Sequence, residues 1–350
     1  MSLAELHISS RKSDLARLQS FLVGEALMAS VDIKINYHFK ESLGDINLTD
    51  PLWQIPQKGV FTEDFTQDLL QQNTDMVVHS WKDLPTEKKE SLQIAATLPR
   101  ADQRDLLLVK KTSLNRVLES KKIRLYSSSP RRFYNVEPFL KSCFPLGLDE
   151  IYFESVRGNI PTRLNKLVAA ENIDGLILAK AALDRLLLTT VPELEPTKKI
   201  IGTILHQMNW MVLPLSENPN AAAQGAIAIE INSKNSEVMH LLQKINDPET
   251  FHCAEKERFV LSSYGGGCHQ KIGIAYLKHP YGHVQFLKGL TDAGVILNQK
   301  HLIHPAQDKV KHKFSSELIW SDSNSNKYFD RVDLNWNVSS QQPAFFVSKA

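Results

Sequence analysis

No stretch of the chain is apolar for the roughly 18 to 20 residues that a bilayer-spanning helix needs. No membrane partner is therefore expected. The amino terminus, MSLAELHISSRKSD, lacks the apolar core of a secretion signal and runs straight into a strand-like segment, which predicts a cytoplasmic protein. Cysteine is scarce: Cys143, Cys253 and Cys268 are widely spaced and form no CxxC pair. That excludes a disulfide framework and argues against a structural zinc site, and no metal is expected. Charge of one sign is also lacking, since 41 basic residues face 39 acidic ones, so a general nucleic-acid binder is not expected. What remains is an ordinary globular composition, 42% hydrophobic and 23% charged over 350 residues. That length suggests two or three domains.

The first hundred residues alternate strand and helix. Leu6 to Ser9 reads as a strand, and Ser13 can cap a helix carrying Leu15, Leu18, Leu22 and Leu27. Val31 to Phe39 alternates with the period of a strand. A helix carrying Phe61, Phe65 and Leu69 follows, and Asp75 to His79 has the apolar run of a buried parallel strand. A second series begins near Asp105, with strands at Leu106–Val109, Ile123–Tyr126, Ile151–Phe153 and Gly175–Leu178, and helices over Arg131–Lys141 and Thr162–Ala170. Thr189 to Asn220 reads as a connection carrying an insertion. After a strand at Ala226–Ile231 and a helix to about Ile245 comes a helix over Pro248–Ser263, ending at Gly265-Gly266-Gly267-Cys268. Short strands follow near Ile272–Leu277, Val284–Leu290 and Val295–Leu302. The expected fold is α/β: two doubly wound domains, residues 1–100 with 226–245 and residues 101–225, plus a small α+β domain over 246–320. Residues 321–350 read as a linker and tail, with a strand-like start at Pro343–Val347 that suits the beginning of another domain.

In such sheets the ligand lies beyond the carboxyl ends of the strands. There DMVVHSWKDLP ends a buried strand in Lys82-Asp83. A carboxylate at that place can hold a developing cation or exchange a proton, with Lys82 as its counter-charge. Read by itself, the pair is equally a solvated turn. Arg11, Arg131, Arg132, Arg157, Arg163 and Arg185 recur at comparable junctions, two of them behind Ser127-Ser128-Ser129. Guanidinium groups and free amides at helix starts grip carboxylates and phosphates. Together they predict a cleft for a small polyanion. The three glycines before Cys268 relieve crowding around its sulfur, which suits an attached thiol, although a helix end with a buried cysteine reads the same way.

These segments, in this order, resemble the porphobilinogen deaminase (hydroxymethylbilane synthase) family over residues 5 to 305. The residues that carry the likeness are Ser10-Arg11-Lys12-Ser13, Gly44-Asp45, Lys58-Gly59-Val60-Phe61 and His79-Ser80-Trp81-Lys82-Asp83-Leu84-Pro85. They continue in Ser128-Ser129-Pro130-Arg131-Arg132, Arg157-Gly158-Asn159 with Thr162-Arg163, Gln224-Gly225-Ala226 and Gly266-Gly267-Cys268. The resemblance implies a dipyrromethane cofactor held by a thioether from Cys268. On it four porphobilinogen units condense with loss of ammonia to give hydroxymethylbilane for tetrapyrrole (haem) synthesis. It assigns Asp83 and Lys82 to catalysis. Cofactor contacts fall to Arg11, Ser13, Asp45, Lys82, Ser128, Ser129, Arg131, Arg132, Arg157, Gly158 and Arg185. Substrate contacts fall to Arg11, Gln19, Lys58, Phe61, Arg157, Arg163 and Gln224, with Lys58 and Phe61 in a cover over the cleft.

The chain departs from the family pattern at Gln54, Tyr126, Pro130 and Ala223, where a basic residue, glycine, leucine and glycine are usual. Residues 343–350 resemble an early strand of uroporphyrinogen-III synthase, which suggests a monomer fused to that enzyme or working beside it. Two other readings stay open on the residues. Paired α/β units joined at a hinge are also the architecture of periplasmic binding proteins, and the notion of a periplasmic-binding-protein-like fold follows from it. Cys268 beside His269 would also suit a cysteine-nucleophile enzyme.

Overall fold

The computed structural model describes residues 5–41, 63–87, 89–266 and 270–304. Two five-stranded sheets share one plan. The first joins β1 (Glu5–Arg11), β2 (Lys34–Lys40), β3 (Met76–Ser80), β4 (Leu92–Ala96) and β10 (Ile227–Asn232) in the order β2-β1-β3-β10-β4. The second joins β5 (Asp105–Lys110), β6 (Lys122–Tyr126), β7 (Glu150–Glu154), β8 (Gly175–Ala179) and β9 (Met208–Val212) in the order β7-β6-β8-β5-β9. In both, three strands run parallel and the fourth in order runs against its neighbours: β10 in the first sheet, β5 in the second. These antiparallel strands are the ones the chain enters just after crossing from the other sheet. Each therefore begins where its parallel neighbours end, with Ile227 opposite Ser80 and Asp105 opposite Ala179. The two crossings reach the same edge of the molecule and bond to each other, Ala101 N donating to Gly225 O at 3.2 Å.

The central strands are apolar throughout because helices cover both faces. MVVH of β3, DLLLV of β5 and GLILA of β8 are buried along their length. Helix α1 (Asp14–Ser30) belongs to the first sheet by sequence, yet its Leu18, 3% exposed, joins a core with Leu164, Leu183, Leu186 and Ile201 beside the second. Burying such a side chain contributes about 2 kcal/mol, and here that energy holds the two sheets together. Arg17 to Glu193 and Asp14 to Thr197 reinforce the contact at its rim.

The architecture matches the expected pair of doubly wound α/β units followed by a small sheet. Several readings of the chain need correction. Thr189–Asn220 is no insertion: it contains helix α7 (Glu195–Leu205) and strand β9, the edge of the second sheet. Only Ile201 and Ile204 of α7 are buried, so its amphipathic stripe is short and its flanking Pro, Thr and Lys residues dominate the pattern. β4, the short helix α3 (Leu114–Ser120) and the helix over Lys180–Leu188 were also absent from the reading, each too short for a period to stand out. The helices α2 (Glu63–Leu70), α4 (Pro130–Cys143), α5 (Ile160–Ala169), α6 (Lys180–Leu188), α8 (Ser236–Gln243) and α9 (Pro248–Ser262) complete the two units and lead to the third. That third unit is a three-stranded antiparallel sheet, β11 (Gly273–His279), β12 (Gly282–Leu290) and β13 (Ile296–Ile303), against α9. The tail over 321–350 lies outside the described residues.

Glu257 of α9 ties this third unit to the crossings. Its fully buried carboxylate takes both arms of Arg100 at 2.9 and 2.7 Å, Ala223 N at 2.7 Å and Tyr276 N at 2.8 Å. The bond to Ala223 N holds that residue at φ +63°, a left-handed conformation usually left to glycine, for which the family's usual residue at this position is suited.

Candidate active site

Strand β3 leaves the sheet at Ser80 and turns through a single 3-10 turn, Trp81–Asp83. Trp81 fixes the turn. Its ring is buried against Phe251 and its backbone N–H donates to Ala226 O at 3.1 Å. With the indole inward, Asp83 is exposed to a cleft lined also by Arg11, Ser13, Gln19, His79 and Ser80. Gln19 is held to Ser80 through their amide and hydroxyl, at 3.0 Å. Ser13 stands at the start of α1, and Ser129 at the start of α4, but neither hydroxyl makes the capping bond expected of it. Both helix starts therefore keep backbone N–H groups and a hydroxyl available to an anion.

Lys82 and three arginines are coupled to this carboxylate or to one another. Burial pushes Lys82 below its ordinary range; Asp83 opposes that shift, and Arg132 and Arg131 add to it. Burial also brings Arg163 down to about 10, assisted by Arg132 and Arg157 and opposed by Asp83. These mutual effects place Lys82, Arg132, Arg157 and Arg163 within electrostatic reach of Asp83 or of one another. Arg163 donates from Nε to Gly158 O at 2.7 Å, across a turn where Gly158 has φ +110°. A Cβ there would lie 2.6 Å from Thr162 Cγ2, so the Arg157-Gly158-Asn159 turn needs its glycine. Asn159 caps α5 by accepting Thr162 N at 3.0 Å.

Some expected contacts are committed within the protein. Ser128 Oγ donates to Val156 O at 2.8 Å and accepts Val156 N at 2.9 Å, which braces the serine turn to the Arg157 turn. Arg131 is 3% exposed and bonded to Asp105, Asn218 and Pro219 O, beneath the cleft. Burial lowers Arg185 to about 10, and it donates to Gly225 O at 2.7 Å, bracing the crossing. Gln224 accepts Lys82 Nζ at 3.1 Å. Asp45, Gln54, Lys58, Phe61, Gly267, Cys268 and His269 lie outside the described residues. Gly266, just before Cys268, sits where a Cβ would meet Thr86 Oγ1 at 2.1 Å. The approach to the cysteine thus docks three residues past Asp83.

Three residues that hold this site together were not among those expected: Asp105, Glu257 and Arg258. The only local signal was an acid opening the apolar run DLLLV, since their partners lie far away in sequence.

Among the described residues no group of His, Cys, Asp or Glu suits a metal ion. The arrangement fits a ligand bearing several carboxylates: Arg11 and the unspent Ser13 hydroxyl line the cleft with Asp83, and Lys82 and Arg163 lie within electrostatic reach of it. Fold and site together suit an α/β enzyme whose cleft opens beyond the carboxyl ends of β1 and β3.

The family model described as porphobilinogen deaminase, dipyromethane cofactor binding domain, matches residues 6–240. A probable porphobilinogen deaminase of Picrophilus torridus is 35% identical over 77% of this chain and 84% of its own length. The porphobilinogen deaminase of Syntrophomonas wolfei is 34% identical over 81% of this chain and 84% of its own. The chain belongs to the porphobilinogen deaminase family, and its matched domain is the one that binds the dipyrromethane cofactor. Among solved structures, a periplasmic aliphatic sulphonate binding protein of Escherichia coli is similar at 13% identity and TM-score 0.34, over 75% of this chain and 71% of that one. So slight a likeness has no bearing on function.

Proposed function

We propose that the chain condenses four porphobilinogen molecules head to tail on a dipyrromethane attached to Cys268, releasing ammonia at each step, and that water then cleaves the distal tetrapyrrole from the cofactor as hydroxymethylbilane. The observation that carries this reading is the placement of Asp83, an exposed carboxylate in a cleft lined by Arg11, Ser13 and Gln19, with Lys82 and Arg163 within electrostatic reach of it. Porphobilinogen bears an acetate and a propionate, so each added unit brings two negative charges. The guanidinium groups and the Ser13 and Ser129 hydroxyls bind those carboxylates, and they orient the pyrrole by where its acids must lie.

The cofactor, when bound, supplies the pyrrole carbon that is extended. The protein supplies a charge and a proton carrier. The Asp83 carboxylate accepts a hydrogen bond from the pyrrole N–H as it gains positive charge, and it takes up and returns the proton exchanged in each round. In a partly dry cleft such a carboxylate lowers the barrier by several kcal/mol, an effect of about the size measured for a preorganised oxyanion donor, roughly 3–4 kcal/mol. Lys82 holds ligand carboxylate rather than attacking. Gly266 against Thr86 supports the attachment at Cys268, because it sets a residue two positions before the cysteine alongside the Asp83 turn.

The three sheets support domains at 1–100 with 226–245, at 101–225 and at 246–320. A monomer working in the cytoplasm beside uroporphyrinogen-III synthase accords with the tail resemblance, whose residues lie outside those described. Among the described residues no helix is long and apolar enough to cross a membrane. The test is to incubate purified chain with porphobilinogen while following ammonia and hydroxymethylbilane, and to weigh the intact protein. Turnover, with a mass excess of two pyrroles that Cys268→Ser abolishes, is expected. An inert protein of unmodified mass sinks the reading.

A further inference from the structure

We propose that Asp105 is a positioning residue of this site: its carboxylate sets two guanidinium groups directly and the Lys82 ammonium through the side-chain amide of Gln224. The inference rests on the deaminase reading only for what the positioned cations bind. Asp105 is fully buried at the start of β5, opposite Ala179, so it sits at the ligand end of the second sheet and points into the seam with the first. It accepts Arg131 Nη2 at 2.7 Å, Arg132 Nη2 at 2.7 Å and Arg132 Nε at 3.1 Å. Asn218 Nδ2 and Gln224 Nε2 each reach it at 2.9 Å.

The Gln224 amide can face only one way. Its nitrogen gives one N–H to Asp105 and another to Gln103 O at 2.8 Å, so its oxygen is left for Lys82 Nζ at 3.1 Å. A flipped amide would set oxygen against carboxylate and carbonyl, and N–H against the ammonium, spoiling all three contacts. The chain Asp105–Gln224–Lys82 therefore runs from the second sheet to the Asp83 turn of the first.

Charge makes the same residue necessary. Arg131 and Arg132 are neighbours in sequence and both buried, and without a carboxylate between them they would repel each other and Lys82. Asp105 offsets that repulsion beneath the cleft, where it does not compete with a ligand carboxylate above. Neither guanidinium has all its N–H groups used by these bonds. Arg132 also acts on Arg163, which faces Asp83. Asp105 thus prepares several cations for an anion while staying clear of the reacting atoms.

Lys82 is faced by Asp83 on its own turn, by Asp105 from β5, by Arg131 and Arg132 from α4 and by the Gln224 amide. Its titration therefore reports the network independently of turnover. The experiment follows the ammonium signal of Lys82 in apoprotein labelled with [ζ-15N]lysine, assigned by its loss in Lys82→Met. In Asp105→Asn the midpoint is expected to fall by about one unit, the protonated lysine losing an opposite charge. In the cofactor-loaded fraction kcat should fall about a hundredfold, the cost of misplaced groups. An unchanged midpoint and kcat, in a variant whose sole defect is a lower Tm, overturns the proposal. Gln224→Met covers the case in which Asp105→Asn does not fold: it cuts the bridge but spares the arginine contacts. The same fall in midpoint supports the proposal, and an unmoved midpoint overturns it. Wild-type protein inert toward porphobilinogen defeats the deaminase reading alone, because the lysine titration is made without substrate.

Discussion

Arg258 Nη1 donates to the Leu84 carbonyl at 3.0 Å, one residue past Asp83. The same guanidinium reaches Trp81 O at 3.2 Å and Pro85 O. Arg258 lies on α9, and α9 leads directly into Gly265-Gly266 and the cysteine loop. One helix thus grips the backbone of the Asp83 turn and leads into the glycines that precede Cys268.

Replacing Arg258 by Met should leave three turn carbonyls without this donor and let Asp83 shift against the cysteine loop. A displacement of about 1 Å costs on the order of a hundredfold in rate. Steady-state kinetics should show the loss in kcat, with KM changing less.

Asp83→Asn keeps the shape of the turn and removes its charge. The expected result is a fold with unaltered circular dichroism and a turnover lower by orders of magnitude, since the cationic pyrrole loses its stabilising partner. Near-normal activity in this variant would show that the carboxylate is not the one used.

Glu257→Gln should be far costlier to stability than to chemistry. It leaves the Arg100 guanidinium, largely buried, without its counter-charge. Breaking one side of a buried pair costs about 3–5 kcal/mol. Urea unfolding measures it, and a loss under about 1 kcal/mol, the range of an exposed pair, would contradict the structure.

Gly225→Ala tests the crossing. Gly225 has φ +89°, and a Cβ there would lie 2.5 Å from Ala101 O. Left-handed backbone alone costs about 1–2 kcal/mol for an L side chain, and the clash adds to it. A lower Tm is expected together with a weaker hold on Gln224, read as a rise in KM.

Acid should unfold the protein through Asp105. Burial pushes its carboxyl up, but Arg131 and Arg132 hold it well below the usual carboxylate range. A depressed native value means the stabilisation is complete above the unfolded value, about 3.9, and is lost as pH falls below it. One proton taken up on unfolding gives a slope of about 1.4 kcal/mol per pH unit there. Chemical denaturation between pH 2 and 5 should show that slope in the wild type (on an approximate pH scale set by the same linkage) and a shallower one in Asp105→Asn.

The sequence by itself determined most of the strands and helices, because buried parallel strands are apolar throughout and helix faces repeat locally. MVVH and GLILA needed no partner to be read, and Lys82-Asp83 was legible as a strand-end pair since its position followed from the strand before it. α7 was lost inside Thr189–Asn220 because only Ile201 and Ile204 of it are buried, and β9 read only as a brief apolar core because its partner strand β5 lies far away in sequence. Only the tertiary structure decided which charges bear on the reaction. Arg131 and Arg132 looked like ligand arginines equally, yet both lean on Asp105, and Ser128 proved a brace between turns. Asp105, Glu257 and Arg258 read as ordinary charged residues, for a charge shows locally neither its burial nor its partner. Asp105 and Gln224 are separated by 119 residues and bonded at 2.9 Å. Asp83 was visible in the chain from the start, whereas the carboxylate that arranges its surroundings emerges only where two crossings meet.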